Sequence, residues 1–320
     1  MNFQNLGKIE PYMFYLDVAF KSAKTKGDLT RQKRLGKDKL KRSKAIEREK
    51  ITAITKSLVR KLSRILNAFP YVDELHPFYQ ELVKCTLDYD ALKKSLGAVN
   101  WVVKKVEEFS NKTINNIKRT QDIRKINSYR REFYGRVSSL IKQIRKDFVN
   151  LDEARKVMKE YPIIKTSLFT VAITGFPNIG KTTLLYKLTG SKPEINSYAF
   201  TTKRINVGYF QEDNKKIQVL DTPGTFNRFD KMNNIEKQAF LAMKYCSNFI
   251  IYVFDLTEPY SLEEQIKLYE KIKDIGKSVI IYLSKTDILD REIIHKFKIK
   301  EKAIFKTIPD LKKSILLASS

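Results

Sequence analysis

The chain has 320 residues, 42% of them hydrophobic and 31% charged, which is long enough for two domains and a sizeable core in at least one. Lys and Arg number 62 against 36 Asp and Glu, a formal net charge of +26, with 37 basic and 19 acidic side chains in residues 1–160 and 25 against 17 thereafter. That field points to a polyanion, nucleic acid ahead of an anionic membrane or a merely solvated Lys-rich surface, and two cysteines, Cys85 and Cys246, exclude a disulfide framework and fit a reducing compartment.

The most apolar early stretch, "PYMFYLDVAF" (11–20), is ten residues long and contains Asp17. It is too short to span a bilayer and has no signal-peptide cleavage pattern, so no membrane partner and a cytoplasmic location are expected. Residues 21–50 carry thirteen basic and four acidic side chains. They read as a solvated helical face or as a contact to an RNA backbone. From Ile51 the pattern is helical, with Ile51, Ile54, Leu58, Leu62 and Ile65 on one stripe and Val59 and Leu66 widening it.

Two prolines in "NAFPYVDELHPFY" (67–79) break the period, and Pro77 suits the first turn of a following helix over roughly 78–96, ending near Gly97. The next helical pattern runs to about residue 149 through Val102, Val106, Phe109, Ile123, Ile126, Phe133, Val137, Leu140, Ile144 and Phe148. Fifty residues of helix would extend ~75 Å, so a turn is expected near "SNKTINN" (110–116). His76 and Trp101 read as packing residues. The simplest reading of 1–162 is an antiparallel helical bundle.

At about residue 162 the periodicity changes. Short apolar runs at "LFTVAITG" (168–175), "IQVLD" (217–221), "NFIIYVFD" (248–255), "KSVIIYLS" (277–284) and "SILLAS" (314–319) read as buried strands, mostly separated by helical patterns. The expectation for 163–320 is α/β, a doubly wound parallel-sheet domain after an all-α bundle.

The first strand runs into "GFPNIGKTT" (175–183), the pattern Gly-x-x-x-x-Gly-Lys-Thr at a strand–helix junction. Gly175 and Gly180 permit angles that let successive N–H groups, among them those of Asn178, Ile179, Gly180 and Thr183, turn toward a phosphate. A helix opening at Lys181 aims its positive end at the same place. Lys181 is expected on the β- and γ-phosphates and the Thr182 hydroxyl on Mg²⁺. Forty residues on, "VLDTPG" supplies Asp221 for the Mg²⁺ shell and Gly224, whose N–H can meet a γ-phosphate. Between them, Thr202, preferred over Thr201, completes that shell.

"LSKTD" (283–287) then ends a later strand at the edge where such sheets bind ligands. Asp287 can accept from guanine N1–H and N2–H₂, a pair adenine does not offer, and Lys285 can lay its stem across the base. Ser284 stands where Asn is usual, so base binding is expected to be selective but weaker. The last base contact is expected at "ASS" (318–320), with N–H groups near Ser319 meeting guanine O6, and with no helix after it. Thr225 and Phe226 follow Gly224, where a water-orienting Gln is common, so intrinsic hydrolysis is expected to be slow. Asn178 either binds a K⁺ that substitutes for an arginine finger or hydrogen-bonds the loop.

"GFPNIGKTTLL", "YAFTTK" and "VLDTPG" resemble the Obg-related branch of translation-factor GTPases. "FPYVDELHPFYQELVKCTLDYDALKKSLG" (69–97), "YGRVSSLIKQ" (134–143), "RINVGYF" and "NNIEKQAFLAMKY" (233–245) narrow the likeness to the nucleolar GTP-binding protein (Nog-type) family and its archaeal relatives. The resemblance implies a GTP-hydrolysing assembly factor of the large ribosomal subunit with a Ras-like P-loop GTPase domain, in a minimal archaeal-type form. Its implied partners are GTP or GDP, large-subunit pre-rRNA and ribosomal proteins; its eukaryotic relatives are nucleolar. A free monomer is expected. The competing readings are an RNA-binding scaffold that binds nucleotide with negligible hydrolysis, and a general nucleotide-sensing GTPase.

Overall fold

The computed structural model describes residues 3–32, 38–190, 205–212, 214–222, 232–257, 260–299 and 304–319. These residues divide into two units, one of 3–71 with 87–160 and the other of 72–86 with 161–319.

The first unit is helical: α1 (Tyr12–Gln32), α2 (Lys39–Ala68), α4 (Tyr89–Arg119), α5 (Ile123–Gln143) and α6 (Arg145–Lys159). Helix α3 (Pro77–Thr86) belongs to the second unit. Helix α2 runs antiparallel to both α1 and α4. Arg42 at the start of α2 donates to the Arg31 carbonyl at the end of α1, and Lys44 of α2 donates to the Lys118 carbonyl at the end of α4. The stripe Ile51, Ile54, Leu58, Leu62 and Ile65 is buried, as are Val102, Val106, Ile126, Phe133, Val137 and Phe148. At ~25 cal/mol per Å², burying each such side chain contributes about 1.5–3 kcal/mol.

The helix breaks differ from the periodicity reading. The first falls at Leu87–Asp88, where the Asp88 side chain accepts from Ala91 N–H, so Gly97 lies inside α4. The second falls at 120–122, after residues 110–116, where Asp122 caps α5 through Arg124 N–H. Capping carboxylates, more than glycine or small polar runs, place these ends. Trp101 and Ile123 are each 41% exposed, so neither belongs to the buried core. His76 is a cap: its Nδ1 accepts from Phe78 N–H at the start of α3, and partial burial lowers its pKa.

The second unit also takes in α3, a segment that reading assigned to the bundle. The Tyr79 hydroxyl donates to the Pro162 carbonyl and accepts from Ile164 N–H, and the Thr86 and Tyr161 hydroxyls lie 2.5 Å apart. Its sheet comprises β1 (Phe169–Thr174), β2 (Asn206–Glu212), β3 (Lys215–Asp221), β4 (Phe249–Phe254), β5 (Ser278–Leu283) and β6 (Ile304–Phe305), in the order β2-β3-β1-β4-β5-β6. Only β2 is antiparallel to its neighbour. Helices α7 (Lys181–Thr189), α8 (Asn234–Tyr245), α9 (Leu262–Lys273), α10 (Arg291–Lys296) and α11 (Ile308–Ala318) intervene or follow. β1 and β4 are buried almost throughout, which is why both read as continuous apolar runs.

"SILLAS" is not a strand. It forms the end of α11, whose Leu311 and Ile315 recur at a helical spacing and are fully buried. The Thr307 side chain accepts from Asp310 N–H and Pro309 lies in the first turn, both start signals. A short apolar run does not distinguish strand from buried helix. The last strand is β6, and a helix does follow it.

Candidate nucleotide site

β1 delivers the chain into a tight loop at Gly175. Gly175 has φ 138° and Gly180 φ 92°, both in the left-handed region that glycine adopts without penalty. A Cβ at Gly175 would lie 2.7 Å from the Val253 carbonyl oxygen and 2.5 Å from Ile179 Cδ1. Asn178 is also left-handed, at φ 62°, a conformation that Asn tolerates better than most residues. Ile179 is fully buried and anchors the loop to the core. Helix α7 opens at Lys181 with no side-chain cap, leaving first-turn N–H groups for a ligand.

Lys181 is buried and its Nζ donates to the Phe176 carbonyl at 2.5 Å. Burial pushes its pKa down to about 8, and the Asp221 carboxylate works against that fall. Asp221 ends β3, in register with Ile173 of β1. Its Oδ2 accepts from the Thr182 hydroxyl at 2.7 Å and from Asn206 Nδ2 at 3.0 Å. Burial raises the Asp221 pKa, opposed by those two hydrogen bonds and by Lys181. Thr222 N–H and hydroxyl both donate to the Ile173 carbonyl, fixing the chain as it leaves β3. Thr182 and Asp221 thus bring together two hard oxygen donors of the kind Mg²⁺ takes, beside a buried ammonium. Thr183 is exposed on α7. Thr201, Thr202, Gly224 and Thr225 lie outside the described residues.

The "SKTD" loop follows β5 at the same carboxyl edge of the sheet. Ser284 is buried; its N–H and its hydroxyl both donate to the Phe254 carbonyl, at 2.9 and 3.0 Å. A Cβ built on Gly180 would lie 3.7 Å from Ser284 Cβ, so this residue lies beside the phosphate loop, while its hydroxyl is bonded to β4. Lys285 has φ 53°, and its Nζ meets Asp255 Oδ2 at 2.5 Å and the Thr257 hydroxyl at 3.2 Å. Asp255 is fully buried, and its Oδ1 accepts from both Thr257 N–H and the Thr257 hydroxyl. Asp287 is exposed.

Three site features escaped the sequence reading. Asp255 holds Lys285, and the signal was present: "NFIIYVFD" ends a buried strand on a carboxylate. Gln265 pins the chain after β4, accepting from Asp255 N–H and donating to the Asp255 and Tyr260 carbonyls. Asn206 bonds Asp221 from the antiparallel β2, a pairing that no local spacing encodes. Ser319 is a correction. It caps α11, its N–H donating to the Ile315 and Leu316 carbonyls, so that group is not free for guanine O6. Eleven helical residues also carry it ~16 Å along the helix from where β6 ends. Lys306 and Thr307 follow β6 at the edge in question.

Residues 3–165 match the family described as NOG1 N-terminal helical domain, and residues 170–285 that described as 50S ribosome-binding GTPase. The chain is 39% identical over 255 residues to an uncharacterized protein of Methanocaldococcus jannaschii, covering 78% of this chain and 71% of that protein. It is 31% identical over 259 residues to nucleolar GTP-binding protein 1 of Saccharomyces cerevisiae, covering 79% of this chain and 40% of that one. Among solved structures, Aquifex aeolicus Era bound to GDP·AlF₄⁻ is similar with TM-score 0.38 and 28% identity over 47% of this chain and 56% of that chain. The chain therefore spans less than half the length of the yeast relative.

Proposed function

The chain belongs to the NOG1 family of GTP-binding proteins, and from that premise we propose that it hydrolyses GTP while its basic helices bind large-subunit pre-rRNA during ribosome assembly. The observation that carries the reading is one edge of one sheet. The phosphate loop, the Thr182–Asp221 contact and the Lys285–Asp287 loop all lie at the carboxyl ends of β1, β3 and β5. That is where open parallel sheets bind ligands.

In this reading the loop N–H groups from Asn178 to Thr183 and the Lys181 ammonium cradle the β- and γ-phosphates. Asp287 accepts the guanine N1–H and N2–H₂, while Asp255 holds the Lys285 stem for the base. Lys306–Thr307 is the segment nearest to a final base contact. Thr182 and Asp221, with Thr202, would hold Mg²⁺, which when bound neutralises charge on the phosphate oxygens. Hydrolysis joins a water oxygen to the γ-phosphorus as the bond to the β–γ bridging oxygen breaks, with Gly224 N–H on the γ-phosphate. Thr225 supplies no carboxamide to orient that water, so turnover is slow unless K⁺ at Asn178 or a ribosomal particle lowers the barrier. The free protein is a cytoplasmic monomer.

Phosphate release measured with the full chain in K⁺ and in Na⁺ buffer, with and without large-subunit particles, tests this. Stimulation by particles is expected. A second reading, a nucleotide-binding scaffold, is favoured by Ser284 and by Thr225 after Gly224, and it predicts GDP and GTP binding with no turnover in any of the four conditions.

A further inference from the structure

Within the helical unit, α1, α2 and α5 enclose a cleft of about 310 Å³ lined by Phe20, Lys24, Asp28, Arg31, Lys50 and Tyr134. The Phe20 and Tyr134 rings lie 5.1 Å apart at 41°, and both are half-buried, so each keeps part of its ring accessible. Among the described residues the Tyr134 hydroxyl has no hydrogen-bond partner and Lys24 has no ion pair. Arg31 is held 2.9 Å from Asp28, one turn back on the same helix.

Lys50 shows that the cleft is built. Its stem crosses α1 at Gly27, where a Cβ would come within 2.6 Å of Lys50 Cε. Glycine inside a helix costs ~1 kcal/mol relative to alanine, and here it opens the passage by which a lysine of α2 reaches the cleft. The ammonium is fixed at 2.8 Å on the buried Glu47, which also takes Arg130 at 3.3 Å. Asp28 offsets Arg31 and Glu47 offsets Lys50, so Lys24 leaves the cleft with a net positive charge that favours an anion. An anion alone would need no rings, however. Paired rings beside fixed cations are how proteins hold a splayed nucleotide, the base on the rings and the phosphate on the cations.

We propose that this cleft binds one unstacked nucleotide of single-stranded RNA, its base against Phe20 and Tyr134 and its phosphate on Lys24 and Arg31, with the Lys50–Glu47 pair forming the cleft's floor. The proposal rests on the RNA-binding reading above and sharpens it to a site.

The test uses the full chain with a single-stranded RNA 12-mer and an abasic 12-mer of equal charge at one salt concentration. The base-bearing strand is expected to bind about tenfold tighter, within the range that base–aromatic stacking supplies. Tyr134→Ala should abolish that difference while leaving affinity for the abasic strand unchanged, and Lys24→Glu should weaken both. Equal binding of the two strands by the native chain, or a difference that survives Tyr134→Ala, would overturn the cleft while leaving RNA binding intact. No binding of either strand at low salt would remove the RNA-binding reading and the cleft with it. Should Tyr134→Ala not fold, ultraviolet crosslinking of the native chain decides: adducts at Phe20 or Tyr134 support the site, and adducts confined to other peptides reject it.

Discussion

Lys181 is the residue on which the proposed nucleotide site turns, and its burial gives a pH signature. The free site holds the ammonium with its pKa lowered to about 8. A bound phosphate would raise it again, so binding takes up a proton above pH ~8 and affinity for GDP should fall as pH climbs from about 8 toward 10. Folding of the nucleotide-free chain has the opposite sign. The unfolded lysine keeps its proton up to the ordinary pKa of 10.5, so the penalty for burying the charge is present below about 8 and relaxes as pH rises. Calorimetric GDP titrations and melting curves at pH 7 to 9.5 check both slopes. Lys181→Ala should cost at least ~1.5–3 kcal/mol of nucleotide affinity, the size of a charged hydrogen bond. At the base, Asp287→Asn should shift preference from guanine to xanthine, and unchanged selectivity in a competition assay would show the loop to be an ordinary turn. Asp255→Asn should weaken guanine-nucleotide binding several-fold through Lys285 alone; an unaltered dissociation constant would mean the ion pair only staples β4 to β5.

At the scale of elements, the bundle is carried by one stripe on α2. Leu62 is fully buried, and Leu62→Ala should destabilise the helical unit by ~2–5 kcal/mol through lost contacts and the cavity left behind. Asp88→Ala removes a cap and should cost ~0.5–2 kcal/mol. Denaturant melts of the two variants should rank them in that order. The stripe was legible in the sequence because a helix repeats its buried face every three or four residues. The cap positions were less so: Asp88 and Asp122 follow no apolar period, and reading one helix over 78–96 hid the true break at Leu87–Asp88. "SILLAS" failed for a related reason, since four apolar residues in a row satisfy a buried strand and a buried helix turn equally.

For the whole molecule, +26 of formal charge makes salt the controlling variable of any polyanion contact. If the helical unit tracks single-stranded RNA, the logarithm of affinity should fall linearly with the logarithm of salt, by about 0.7 per phosphate engaged. Filter binding from 50 to 300 mM KCl measures it, and a flat line would rule out backbone recognition. Among the described residues no helix is long and apolar enough to cross a membrane.

Local chemistry made most of the proposed nucleotide site legible in the sequence alone. A glycine-bounded loop, its lysine and threonine, and the Lys-x-Asp after a later strand are contiguous motifs whose backbone demands do not depend on the remainder of the chain. What folding alone decided were the pairings between distant segments: Asn206 and Thr182 on Asp221, Asp255 under Lys285, Ser284 beside Gly180, and Lys50 passing Gly27. Each joins residues far apart in the chain, brought together by sheet order and helix packing, and no spacing along the sequence records a distance that only the packed core sets.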